Sequence, residues 1–271
     1  MSGWSLSSFI IVACCLLSQQ AFSVDQNSST LKQIEQRGTL NVCIWPEYFS
    51  ITYQNPRTAR LEGIDIELSQ ALANDLGVQL NYVTTHFGRF IKDLNAKQCD
   101  IAMFGVGNTA SRRELVDFSE PYLSSGIYGI RVKNHPFLRS WSDMDQEGVI
   151  VCVQKGTYME NLMRQQLKHA QISTVIKPKE RELEVLSGRA DVFITDYPYS
   201  QKILSVYDWA ELIEPKNQTR QFQYAYAVAK DDPLWLARVN QFVRDIKQDG
   251  RLMKAAKNNA LSPIVILDDE S

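Results

Sequence analysis

The sequence predicts an α/β fold built as two similar halves. Three observations carry that expectation. Apolar runs of strand length alternate with amphipathic stretches of helix length. The alternation is played out twice along the chain. The length of 271 residues, 44% of them hydrophobic, suffices for one large or two smaller cores.

In the first half, residues 40–44 form a short apolar strand. Residues 64–76 have helical spacing and stop at Gly77. Residues 78–84 are the next strand, 90–94 are helical, and 101–106 return to strand. In the second half, residues 149–153 are a strand. Gly156-Thr157 opens a helix that runs to about residue 167. Strand 173–176, helix 180–186 ending near Gly188, and strand 192–195 follow. Residues 128–132 and 224–229 are both extended and apolar. Paired side by side, they are expected to make two crossings between the halves. The tail is expected back on the first half. Asp231 or Asp232 caps a helix with Pro233 in its first turn. Its Trp235, Val239, Phe242, Val243 and Ile246 make one apolar face, read as core packing.

The first 23 residues carry no charged side chain, and Phe9 to Leu17 is unbroken apolar. That run is too short for a finished membrane helix. Ala21-Phe22-Ser23 has the small-x-small pattern of a signal-peptidase site, so residues 1–23 read as a secretory signal. An uncleaved anchor is one alternative. A lipoprotein is another, because Ile11-Val12-Ala13-Cys14 resembles a lipobox. Net charge is −2, which gives no basis for nucleic-acid binding. Of the remaining cysteines, Cys43 and Cys99 fall in or beside strands of the first half. An oxidising compartment permits a bond between them; buried free thiols are the alternative. The histidines, 86, 135 and 169, are scattered, and no Cys-x-x-Cys or phosphate loop occurs. No metal or cofactor is expected.

The most informative run is CDIAMFGVGNTASRRELVDFSEPYL, Cys99 to Leu123. It reads as a buried strand, a glycine loop at Gly105 and Gly107, a Thr109 cap, and a helix start carrying Arg112. One guanidinium beside free backbone amides suits a carboxylate.

This run, with GTLNVCIWPEY, LEGIDIELSQALANDLGV, VQKGT and LSGRADVFITD, resembles the bacterial periplasmic solute-binding proteins of family 3, the receptors of polar amino-acid ABC importers. The resemblance covers nearly all of the chain after the signal. It implies a two-lobed periplasmic-binding-protein type II fold, each lobe a mixed sheet flanked by helices, with a two-strand hinge. Lobe one then takes residues 31–128 with 227–267, and lobe two takes 129–226. The implied activity is closure on one small solute, an amino acid or related carboxylate. The implied partner is a membrane permease, or alternatively a sensor. The receptor is expected to act as a monomer outside the inner membrane.

An α-amino acid is a zwitterion, and burying either charge unpaired is costly. Arg112 matches the family's carboxylate-binding arginine, with Arg113 as the competing register. Gly156-Thr157 starts a helix whose N-terminus favours an anion, and Thr157 matches the family's second carboxylate contact. Asp196 matches the acidic partner of the ligand ammonium, with Asp191 the competitor. Tyr48 and Phe87 match the aromatic walls, which Trp45 and Tyr197 are placed to join.

Two departures stand out. Gly105 and Gly107 occur where many members carry Ser or Thr, so only backbone groups remain there. Trp45 stands where binders of basic amino acids carry an acid, although Glu47 and His86 lie nearby to supply polarity. Cyclohexadienyl dehydratases resemble the same fold and define the enzyme alternative. Such elimination chemistry needs a positioned acid or base. After Asp196 the chain continues Tyr197-Pro198-Tyr199 with no second acid, so binding without catalysis is expected.

Overall fold

The computed structural model describes residues 29–216 and 222–267. The expected signal peptide, its cleavage pattern and Cys14 lie outside the described residues.

Two five-stranded sheets organise the chain, one per lobe, with the same strand logic. In lobe one the order is Gln79–Thr84, Thr39–Ile44, Ile101–Ala102, Ala227–Ala229, Val116–Phe118. The first three run parallel, and Ala227–Ala229 is antiparallel to both of its neighbours. In lobe two the order is Gln171–Val175, Ile150–Gln154, Val192–Asp196, Ile127–Val132, Ala210–Ile213. Again three strands are parallel, and the fourth opposes them. Parallel neighbours need helical crossovers, and Ile64–Leu76 and Tyr158–Gln166 supply two of them.

The crossings between lobes differ from the expected pairing. Residues 128–132 belong to strand Ile127–Val132, which lies inside the lobe-two sheet between Val192–Asp196 and Ala210–Ile213. Residues 227–229 lie inside the lobe-one sheet. The segments that do pair are Leu123–Ser125 and Phe222–Tyr224, antiparallel, with Ser124 opposite Gln223. The physical reason is burial. Ile127 and Ile130 are apolar enough to be drawn into a sheet centre, so the chain crosses earlier, ahead of Gly126. Tyr128 accordingly pairs with Thr195 of lobe two.

The tail follows its expected course. Asp232 caps helix Pro233–Gln248 by accepting from the Trp235 N–H at 3.1 Å. Trp235, Val239, Phe242, Val243 and Ile246 are buried, and the Trp235 indole N–H donates to the Asp100 carbonyl at 2.8 Å. This anchors the tail on lobe one. Cys43 and Cys99 form a disulfide, with Cα atoms 5.5 Å apart, between strand Thr39–Ile44 and the turn before Ile101. Cys152 is a buried free thiol.

Residues 47–62 make a three-stranded sheet, Glu47–Tyr48, Thr52–Gln54 and Leu61–Glu62, that the strand reading did not anticipate. The expected strand 101–106 is short, at Ile101–Ala102. Gly105 adopts φ +63° and turns its N–H to the buried Asp65 carboxylate at 2.9 Å, so the chain leaves the ladder to form a loop.

Candidate functional site

The carboxyl ends of the parallel strands in both lobes face one another, the usual ligand position in α/β sheets. Between them lies a cleft. Trp45, Tyr48, Phe87, Gly105, Gly107, Arg112, Thr157 and Asp196 all line it. The structure therefore brings these eight expected site residues to one place.

Arg112 sits in the short helix Ala110–Arg113, whose cap is Thr109: its hydroxyl accepts from the Arg112 N–H at 3.3 Å. Arg112 is 9% exposed. Nη1 donates to the Gly107 carbonyl at 2.8 Å, and Nη2 donates across the cleft to the Gly156 carbonyl at 3.0 Å. The rings of Phe87 and Phe90 lie 5.9 and 5.5 Å from its centre. No carboxylate pairs with it among the described residues. Burial pulls its pKa down to about 10, so it stays cationic at neutral pH. Arg113 points away and donates to the Asn108 side chain at the surface, so Arg112 is the one of the pair that lines the cleft.

Asp196 ends strand Val192–Asp196 and caps helix Tyr197–Val206. One carboxylate oxygen accepts from the Tyr199 N–H at 3.3 Å. The other accepts from the Tyr224 hydroxyl at 2.8 Å and from the Tyr48 hydroxyl of lobe one. Capping and cleft roles therefore fall on different oxygens of one carboxylate. Asp191, the competitor, accepts from the Ile150 N–H at 2.7 Å and contacts His135, away from the cleft.

Thr157 caps helix Tyr158–Gln166. Its hydroxyl donates to the Gln154 carbonyl at 2.7 Å, and the Gly156 N–H is taken by Glu160 at 2.7 Å. The helix start thus offers its N-terminal field with the Gly156 amide already paired. Gly156 itself has φ +80°, and a Cβ there sits 3.0 Å from the Gly88 nitrogen of lobe one. Only glycine allows this turn and this approach.

Trp45, Tyr48 and Phe87 form a triangle of rings, with centroids 5.3 to 5.9 Å apart. A Cβ on Gly105 lies 2.9 Å from the Tyr48 ring. The loss of a hydroxyl at this position therefore makes room for Tyr48. Tyr197 does not line the cleft. Its N–H bonds Ser125 and its ring meets Tyr128, so Tyr199, one turn-face further on, takes the wall position. Glu47 and His86 line a larger outer cavity that shares Trp45, Phe87 and Gln154 with the cleft.

Arg181 and Tyr224 were not foreseen in the cleft. Arg181 is buried, donates to the Ile194 carbonyl at 2.9 Å and stacks on Tyr199 at 4.6 Å. Beside it, buried Glu182 accepts from the Tyr199 hydroxyl. A signal was available: two adjacent opposite charges inside a strand-flanking helix. It is masked because Leu183 and Leu186, the apolar-looking face, are 51% and 49% exposed.

The chain matches the bacterial extracellular solute-binding proteins, family 3, over residues 40–259. It belongs to that family. The L-cystine-binding protein TcyJ of Escherichia coli (strain K12) is 24% identical over 89% of this chain and 90% of its own. The cyclohexadienyl dehydratase of Pseudomonas aeruginosa is 26% identical over 88% of each chain. A crystal structure of AncCDT-1, an ancestral amino acid-binding protein described as a precursor of cyclohexadienyl dehydratase, is 32% identical. It superposes with a TM-score of 0.78 over 86% of this chain and 99% of its own. The two-lobed type II fold of this family is the architecture described above.

Proposed function

We propose that the protein is a periplasmic receptor that closes its lobes on an amino acid and presents it to an ABC importer. One observation carries this reading: a buried cation of lobe one, Arg112, and a buried anion of lobe two, Asp196, line the same cleft. A zwitterion has one complementary charge for each. Arg112 takes the carboxylate, because its fork matches two oxygens and it has no acid of its own among the described residues. The N-terminus of helix Tyr158–Gln166 at Thr157 adds a favourable field for the same group. Asp196 takes the ammonium, together with the Tyr48 and Tyr224 oxygens gathered on it. Trp45, Tyr48 and Phe87 wall the carbon frame. The backbone of Gly105 and Gly107 forms the floor. The names of TcyJ and AncCDT-1 support an amino acid as the ligand class, and the Cys43–Cys99 disulfide fits an oxidising compartment.

Thermal unfolding with each of the twenty amino acids and L-cystine tests the reading. A ligand at a hundred times its dissociation constant adds about 2.7 kcal/mol of stability. A clear upward shift with at least one of them at millimolar concentration is expected. No shift with any of them contradicts the reading.

The dehydratase relative keeps an enzyme reading in view. Against it, the Asp196 oxygens are occupied by two tyrosine hydroxyls and a helix N–H, and Glu182 lies behind Tyr199 rather than in the cleft lining. Incubation with prephenate or arogenate is expected to give no aromatic product.

A further inference from the structure

Lys202 lies one helical turn beyond Tyr199, at the rim of the cleft on lobe two. Its ammonium sits 5.0 Å from the Phe49 ring and 4.9 Å from the Tyr53 ring, both on lobe one, and 5.6 Å from the Tyr199 ring. Phe49 and Tyr53 brace each other edge to face at 5.5 Å. The ammonium is half-buried and has no ion-pair partner among the described residues. Its electrostatic neighbours on lobe two are Glu182 and Lys179, and burial lowers its pKa. A desolvated ammonium against aromatic faces is attracted by the ring quadrupoles, more strongly than an exposed one.

The position of this cage matters more than its strength. Phe49 follows Tyr48, whose hydroxyl reaches Asp196. Lys202 rides on the helix that Asp196 caps. Tyr53 stands on the strand paired with Glu47–Tyr48, so the ring pair and the ammonium belong to the small sheet and the helix that meet inside the cleft, but they do not line it. Two of the three rings belong to the opposite lobe, so the cage exists only when the lobes are together.

We propose that Lys202, caged by Phe49 and Tyr53, is an inter-lobe clasp that stabilises the closed receptor and raises affinity without touching the ligand. This rests on the amino-acid-binding reading above. A contact present only in the closed form shifts the open–closed balance, and apparent affinity follows the fraction of the competent form.

The test is calorimetric titration and stopped-flow dissociation of wild type, Lys202→Met, Lys202→Arg and Phe49→Leu. The probes are the two amino acids that wild type binds most tightly among the twenty and L-cystine. Ligand-free melting checks that each variant is folded. Lys202→Met and Phe49→Leu are expected to weaken both probes by the same factor, about three- to thirtyfold, through faster dissociation. A Lys202→Met, Phe49→Leu double variant, titrated in the same way, is expected to lose no more than either single one, and Lys202→Arg to stay within twofold of wild type. The proposal is overturned by a loss under twofold in Lys202→Met, by a loss that differs between the two probes, or by a loss that arginine does not restore. Should wild type bind no probe, the binding reading fails by itself. The clasp is then judged by small-angle scattering: a larger radius of gyration in Lys202→Met supports it, and an unchanged radius overturns it.

Discussion

The Arg112 guanidinium of lobe one and the Gly156 carbonyl of lobe two meet across the cleft at 3.0 Å. The residue proposed to hold the ligand carboxylate therefore also registers the approach of the opposite lobe. That approach depends on Gly156 having no side chain, since a Cβ there falls 3.0 Å from the Gly88 nitrogen and 3.1 Å from its Cα.

Gly156→Ala is expected to oppose closure twice over. The left-handed backbone, φ +80°, costs about 1–2 kcal/mol with a Cβ present, and the new methyl presses on the Phe87-Gly88 backbone. Calorimetry is expected to show amino-acid affinity reduced by at least about tenfold. The ligand-free melting temperature is expected to fall by about 2–8 °C. Wild-type affinity in this variant contradicts the closure geometry.

Asp196→Asn removes the charge and leaves one acceptor oxygen where the carboxylate offers one to the tyrosine hydroxyls and the other to the Tyr199 N–H. A hydrogen bond to a charged group contributes about 1.5–3 kcal/mol, so affinity is expected to fall about ten- to hundredfold, less than on loss of Arg112. Equal affinity in calorimetric titration removes Asp196 from the ligand contacts.

What could be read from the sequence follows from where the physics is local. Helix Ile64–Leu76 lies where expected because Gly77 adopts the left-handed cap that ends it, φ 67°. Arg112 and Asp196 were singled out through the resemblance to the family's motifs, and both lie at helix starts, Arg112 in the turn that Thr109 caps and Asp196 as a cap itself. Arg181 was not, because helix Pro178–Leu186 buries its charged side and exposes Leu183 and Leu186, which inverts the usual amphipathic reading. The hinge was displaced for a related reason. Strand length and apolarity mark 128–132 as extended, but only the sheet partners decide that it is a lobe-two core strand. Tyr224 was legible as extended chain, and its hydroxyl bond to Asp196 depends on a contact 28 residues away in sequence.

Asp65 makes stability pH-dependent. Its carboxyl is fully buried beneath the cleft floor and accepts from the Gly105 N–H and the Tyr122 and Tyr226 hydroxyls. Burial raises its pKa from 3.8 to about 7. The folded state therefore holds a proton that the unfolded chain has released between about pH 4 and pH 7. Stability from this group is present at low pH and is lost as pH rises through that window, by a few kcal/mol at most, at about 1.4 kcal/mol per pH unit. Asp65→Asn is expected to flatten the decline in urea-unfolding free energy over that range. An identical slope in both proteins contradicts the assignment.

The cysteines offer a direct check on the first lobe. A chain beginning at Val24 is expected to show one reactive thiol when denatured without reductant, from Cys152, and three after reduction. Three thiols before reduction contradict the Cys43–Cys99 bond.

The central claim is that one buried guanidinium holds the solute's carboxylate between the lobes. Calorimetric titration of Arg112→Ala with the best-bound amino acid tests it most directly. Breaking a buried ion pair costs about 3–5 kcal/mol, so affinity is expected to fall by about two to three and a half orders of magnitude while the ligand-free protein stays folded. A loss under threefold in a folded variant contradicts the claim and places the carboxylate elsewhere.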